Sequence, residues 1–275
     1  MTFPAPLPPV TFLKLGGSLI TDKTRPHTLR AELLARLAAE ITAARRANPG
    51  LRLLLGHGSG SFGHVPAQQY ATRQGVHTGE EWQGFVEVWR EAAALNRLVM
   101  DALAAADLPA LSFPPSAAVT AQDGRVACWD LAPLVAALNA GLLPVVYGDV
   151  AFDTARGGTI LSTEDLFTHL VPSLRPGRIL LAGQEAGVWA DYPACTRLVS
   201  QITPSSYLQV AEALGGSHAT DVTGGMASKV RQALGWAQAL PGLQVRIFSA
   251  ATPGSLQAAL LGEPAGTLIT AGQPA

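Results

Sequence analysis

The chain has 275 residues, 48% of them hydrophobic, and Lys+Arg 19 against Asp+Glu 20 leaves a formal net charge of -1. With no basic block to neutralise a phosphate backbone, nucleic acid is excluded as a partner. The two cysteines, Cys128 and Cys195, lack CxxC spacing, so neither a disulfide framework nor a zinc site is expected and the reduced cytoplasm is the natural compartment.

In chain order, Met1 to Pro9 has no basic n-region, and no signal peptide is expected. A strand is predicted over Thr11–Leu15, a helix from about Arg30 to Arg46 and a strand over Leu51–Leu55. The clearest helix runs from Gly84 to Ala106, with Phe85, Val88, Trp89, Ala92, Leu95, Val99 and Leu103 forming its apolar stripe. Further elements follow at Leu131–Asn139 (helix), Leu142–Val150 and Ile179–Ala182 (strands), Met226–Leu240 (helix) and Val245–Ser249 (strand). Breaks at Asn48-Pro49-Gly50, Gly141, Pro176-Gly177 and Pro241-Gly242 each precede a strand, as expected where a helix stops and the chain turns back. The tail from Gly262 onward is expected on the surface. Polar and Pro interruptions keep every apolar run short of a membrane span. Together these features predict one α/β domain over residues 1–275, with a mostly parallel sheet and helices on both faces.

Two glycine-rich turns carry the chemistry. The first strand runs into Gly16-Gly17-Ser18, where backbone N–H groups can face an anion beyond the strand's carboxyl end. Lys14 is an unusual charge inside an apolar strand; the bland alternative is a lysine that snorkels from a turn. The second cluster, Gly58, Gly60 and Gly63, matches G-x-G-x-x-G literally. A dinucleotide fingerprint should open a helix and lead to a second strand ending in an acid. Here Pro66 follows closely, Gln68 to Thr78 is polar, and Glu80 and Glu81 stand in the wrong context, so the nicotinamide reading is set aside. No G-x-S-x-G elbow and no G-x-x-x-x-G-K-[ST] occur, which removes serine hydrolysis and the P-loop kinases.

His64 closes the second run and can donate to an anion. Gly148-Asp149 puts a carboxylate near the ligand end of a strand, where it can orient cations. Gly224-Gly225 leads into a helix bearing Lys229 near its start, a cation that an anion there would compensate. Lys23 follows Thr21-Asp22 in a loop, where a lysine is usually only solvated.

Taken in this order, the segments Lys14 to Lys23, His57 to His64, Gly148 to Val150 and Asp221 to Lys229 resemble the amino-acid-kinase superfamily, and within it the isopentenyl phosphate kinases. The resemblance implies a three-layer αβα sandwich with an open, mostly parallel sheet, forming a homodimer. The acceptor would lie on the side of residues 10–170 and Mg-ATP, the magnesium carried by the nucleotide, on the side of residues 171–270. It implies that Lys14, Lys23 and Lys229 neutralise the transferring phosphoryl group, and that Gly16, Gly17, Ser18, Gly60, Gly224 and Gly225 hold phosphates through backbone. His64, beside Ser59 and Gly148, would bind the acceptor's monophosphate, and Asp149 would order the lysines. The implied reaction is ATP-dependent phosphorylation of isopentenyl phosphate in isoprenoid biosynthesis, in the cytoplasm, with no metal site made by the protein. A sister kinase acting on UMP or a fosfomycin-type phosphonate, and a non-catalytic nucleotide sensor, are the alternatives. Ser59, Thr163-Glu164-Asp165, Ala186 and Trp189 depart from the residues usual in that family.

Overall fold

The computed structural model describes residues 8–214 and 225–272, without the side chains of residues 64–65 and 212–214. From the N-terminus come β1 (Thr11–Leu15), α1 (Gly17–Ile20), α2 (Ala31–Ala47), β2 (Leu53–His57), α3 (Gly60–Gln69), α4 (Gly79–Ala105), β3 (Ala110–Ser112) and α5 (Pro115–Ala118). Then follow β4 (Val119–Gln122), β5 (Arg125–Trp129), α6 (Ala132–Asn139), β6 (Leu143–Tyr147), β7 (Asp149–Asp153), β8 (Gly157–Leu161) and α7 (Thr163–Leu174). The last elements are β9 (Arg178–Gly183), β10 (Gln201–Ile202), α8 (Pro204–Leu214), α9 (Gly225–Ala239), β11 (Gln244–Ser249), α10 (Ser255–Leu261) and β12 (Thr267–Ile269).

Eight strands form the main sheet in the order β10-β12-β11-β9-β1-β2-β6-β3. Every pairing in it is parallel except β11 with β12. Alternate residues of its central strands feed two cores, because a strand buried on both faces needs apolar side chains at every position. Phe12, Leu54, Val146, Leu181 and Ile247 pack with α6, α7 and α9 on one face. Leu13, Leu55, Val145, Leu180 and Phe248 pack with α1, α2, α4 and α10 on the other. The result is the three-layer α/β architecture, to which a smaller sheet, β5-β4-β7-β8, is added. No helix among the described residues is long and apolar enough to cross a membrane.

Several expectations are corrected. The predicted strand Leu142–Val150 breaks at Gly148, and its last residues start β7 in the smaller sheet. The tail from Gly262 is not simply surface: β12 joins the main sheet, with Thr267 and Ile269 fully buried. α4 begins upstream of its apolar stripe because Thr78 caps it, accepting from Glu81 N while the Glu81 carboxylate accepts from Thr78 N at 2.8 Å. Trp89, 43% exposed, sits outside the buried arc, and Asn96 lies within it.

The second glycine run does open a helix. Pro66 lies inside α3, where it withholds one amide donor and its ring crowds the carbonyl four residues back, and the helix ends soon after, at Gln69. The dinucleotide reading therefore fails on its other ground alone: the next element is helix α4, not a strand, and Glu81 is spent on its cap.

Candidate active site

Parallel strands β2, β1, β9 and β11 end on the same side of the sheet, where ligands bind in open α/β folds. A cleft there is lined by Lys14, Gly16, Gly17, Ser18, Lys23, Ser59, Gly60 and Lys229, all singled out from sequence. Glu164, Gln184 and Glu185 also line it.

The two glycine turns touch backbone to backbone. A Cβ on Gly17 would lie 2.4 Å from Gly60 N, and one on Gly60 would lie 2.7 Å from Gly17 O. Gly60 also has φ +52°, in the left-handed region that favours glycine. Fully buried Thr21 fastens the pair: its hydroxyl donates to Gly17 O at 2.7 Å and accepts from Ser61 N at 2.9 Å. Gly16 N in turn donates to Ala182 O at 2.8 Å, tying the first turn to β9.

Lys14 shares the parity of Phe12 on β1 and so points to the layer of α7 and α9. There its ammonium pairs with the carboxylate of Glu164, both side chains being buried. Burial is the largest influence on Glu164 and pushes its pKa up, yet Lys14 and then Lys229 hold it below the ordinary carboxylate value. A buried charge flanked by two cations stays ionised. Glu164 owes its place to a capping box at the start of α7, in which Ser162 Oγ accepts from Asp165 N at 3.1 Å and Asp165 accepts from Ser162 N at 2.8 Å. Thr163 Oγ1 donates to His57 O at 2.6 Å and locks α7 to the end of β2. Gly56 permits that approach, since a Cβ there would meet Thr163 Cγ2 at 2.4 Å.

Sequence reasoning named Glu164 only as part of a departure from the family pattern and gave it no role, although Ser162-x-x-Asp165 before the apolar run Leu166-Phe167 was a readable helix start. The ordering role expected of Asp149 falls to Glu164 as far as the Lys14 ion pair is concerned. Asp149 instead accepts from Val150 N at 2.8 Å and Ser116 N at 3.3 Å. Gly148 abuts the second turn, its N donating to His57 O at 3.2 Å, while Gly225 starts α9 at φ +61°. Gly148, Asp149 and Gly225 are not among the residues lining the cleft. Gly224 and the His64 side chain lie outside the described residues. Among the described residues no three His, Cys, Asp or Glu side chains gather as a metal cage.

A model of the amino acid kinase family matches residues 9–249. The chain belongs to the amino acid kinase family. Within the family it is 36% identical over 266 residues to the isopentenyl phosphate kinase of Methanothermobacter thermautotrophicus, covering 94% of this chain and 98% of that one. The corresponding kinase of Haloferax volcanii is 36% identical over 260 residues, covering 94% of this chain and 97% of that one. A solved isopentenyl phosphate kinase structure superposes with a TM-score of 0.79 at 33% identity, over 95% of this chain and 100% of that one.

Beside the cleft of this kinase, two buried groups oppose each other in their pH response. Desolvation lowers the pKa of His57 to about 4; its ring stacks on Tyr147 at 5.3 Å and its Nε2 lies 3.2 Å from Asn96 Oδ1. Desolvation raises Asp149 from 3.8 to about 6. Between pH 4 and 6.5 unfolding adds a proton at His57, so that group makes stability rise with pH. Between pH 3.8 and 6 unfolding removes one from Asp149, so that group makes stability fall. Each effect is on the order of 3 kcal/mol, and they largely cancel. Denaturant melts at pH 4.5 and 6.5 should therefore show that Asp149→Asn steepens the rise of stability with pH relative to the parent, and that His57→Gln reverses it.

Proposed function

We propose that this protein transfers the γ-phosphoryl group of ATP to isopentenyl phosphate, giving isopentenyl diphosphate and ADP in isoprenoid biosynthesis. The observation that carries the proposal is the buried Lys14–Glu164 pair, with Lys229 alongside, facing both glycine turns in one cleft. It stands in a chain 36% identical over nearly its whole length to an isopentenyl phosphate kinase.

The acceptor's phosphate oxygen is already an anion, so no general base is needed. Its lone pair forms the new P–O bond as the bond to the β,γ-bridging oxygen breaks, and ADP carries away that electron pair. The protein's task is alignment and charge stabilisation. Lys14 and Lys229 offset charge spreading onto the equatorial oxygens, and Glu164 holds Lys14 on the axis of transfer. A lysine suits a phosphoryl group that moves, because it presents a compact point charge instead of a fixed fork. Lys23 approaches from its loop, and His64 with Ser59, Gly60 and Gly148 takes the acceptor's phosphate. Asp149 orders the lysines that Glu164 does not hold.

In this reading the nucleotide lies against residues 171–270, with Gly16, Gly17, Ser18, Gly224 and Gly225 on its phosphates, and the acceptor against residues 10–170. Magnesium would arrive with the nucleotide and would supply a further offset of phosphate charge. The active form is a cytoplasmic homodimer.

The test is ATP consumption with isopentenyl phosphate, dimethylallyl phosphate, UMP and fosfomycin as acceptors. Isopentenyl phosphate should give the highest kcat/KM, and no turnover with it alongside turnover of another acceptor would overturn the reading. His64→Ala should raise KM for isopentenyl phosphate at least tenfold, about the worth of one charge-assisted hydrogen bond, with little change in KM for ATP. ATP binding without turnover of any acceptor would mark a sensor.

A further inference from the structure

The loop that carries Lys23 is closed at its base and latched on its far side. At the base, Thr21 and Leu29 form an antiparallel bridge and Asp22 N donates to Thr28 O at 2.8 Å. Asp22 Oδ1 accepts from Thr24 N at 2.9 Å and from Thr24 Oγ1 at 2.7 Å, which folds the chain around Lys23. Residues 23–27 are exposed, and Lys23 lines the cleft. The opposite side is held by His27, in left-handed backbone at φ +51°. Its N–H donates to Ser61 O at 3.3 Å, and Thr28 N donates to Ser61 Oγ at 3.2 Å. The imidazole Nδ1 lies 2.8 Å from Glu91 Oε2 on α4, and the ring meets Phe62 of α3 edge-on at 5.6 Å.

From this geometry we propose that His27 is a positioning residue for Lys23, tying the Lys23 loop to α3 and α4 so that the ammonium is delivered to the phosphoryl group. The inference rests on the phosphoryl-transfer reading of the cleft. An exposed polar contact between side chains contributes little to folding, and His27 is 55% exposed at its side chain. Its effect is therefore on the orientation of a long, flexible lysine, where a displacement of about 1 Å can cost about a hundredfold in rate.

Glycine and asparagine both accept left-handed backbone, and asparagine Nδ2 falls close to where histidine Nδ1 stands. His27→Gly thus removes the side-chain part of the latch, to Glu91 and Phe62, leaves the two main-chain N–H bonds to Ser61 and does not strain the turn; His27→Asn restores a donor toward Glu91. His27→Gly should lower kcat about tenfold, with KM for ATP within twofold and Tm within about 2 °C. His27→Asn should recover most of the rate, and Glu91→Ala, which removes the acceptor, should resemble His27→Gly. In a Lys23→Ala background, His27→Gly should add no further loss, because both changes act through one ammonium. The same fold loss in both backgrounds, or an unchanged kcat in His27→Gly, overturns the proposal. Should the parent enzyme fail to turn over isopentenyl phosphate, the functional reading falls and amide hydrogen exchange decides the latch. Faster exchange across residues 22–28 in His27→Gly supports it, and unchanged exchange overturns it.

Discussion

Lys14→Met should lower kcat about a thousandfold while KM for ATP stays within a few fold, the scale expected when a preorganised charge is removed from a transferring phosphoryl group. Methionine keeps the length of the side chain and fills the same space, so the loss reports charge. Glu164→Leu should be nearly as damaging, for a different reason. It leaves the Lys14 ammonium buried without its carboxylate, at a cost of about 3–5 kcal/mol in folding stability, and frees the lysine from its axis. Combining the two changes separates these effects: with neither charge present, most of the stability should return, but turnover should not. Steady-state kinetics and denaturant melts on the three variants provide the check. A double variant as unstable as Glu164→Leu alone would show that Glu164 serves packing and not the lysine.

Gly60→Ala should cost more than about 3 kcal/mol, enough to abolish soluble expression of a marginal domain. The new Cβ would lie 2.0 Å from Thr21 Oγ1 and 2.7 Å from Gly17 O, in a backbone conformation with φ +52°. Removing the threonine hydroxyl cannot rescue it, because the second obstacle is main chain. Gly235→Ala is the matched control. Gly235 lies inside α9 with nothing within 4 Å of the would-be Cβ, so alanine should stabilise the protein by about 0.5–1 kcal/mol. Thermal melts of the two variants should move in opposite directions.

Much of this was legible in the residues, and the exceptions have physical causes. The central strands of the main sheet could be found from apolar runs because both their faces are buried. The smaller sheet could not: β4 alternates buried with exposed positions and β5 is mostly exposed, so neither stands out from loop composition. Lys14, Gly17 and Gly60 were legible because a charge in an apolar strand and glycines after a strand are locally odd. Glu164 stood out only as a departure from the family pattern, and Thr21 looks ordinary in sequence. Their importance comes from partners 150 and 40 residues away, Lys14 and Ser61, which only the folded chain brings together. The hydrogen bonds of Asp149 were illegible for a related reason: a carboxylate at a strand end is conspicuous, but its donor Ser116 N lies 33 residues away in sequence.

The main-chain contact between Gly17 and Gly60, with Thr21 bonded across it, means that the two glycine turns are not separate jaws. The gap over which the phosphoryl group travels is set by the fold and cannot be tightened or relaxed at that seam. Mutations that alter the spacing of the two turns are therefore expected to act through main chain, at Gly17, Gly60 or Thr21, and not through side chains that face the cleft.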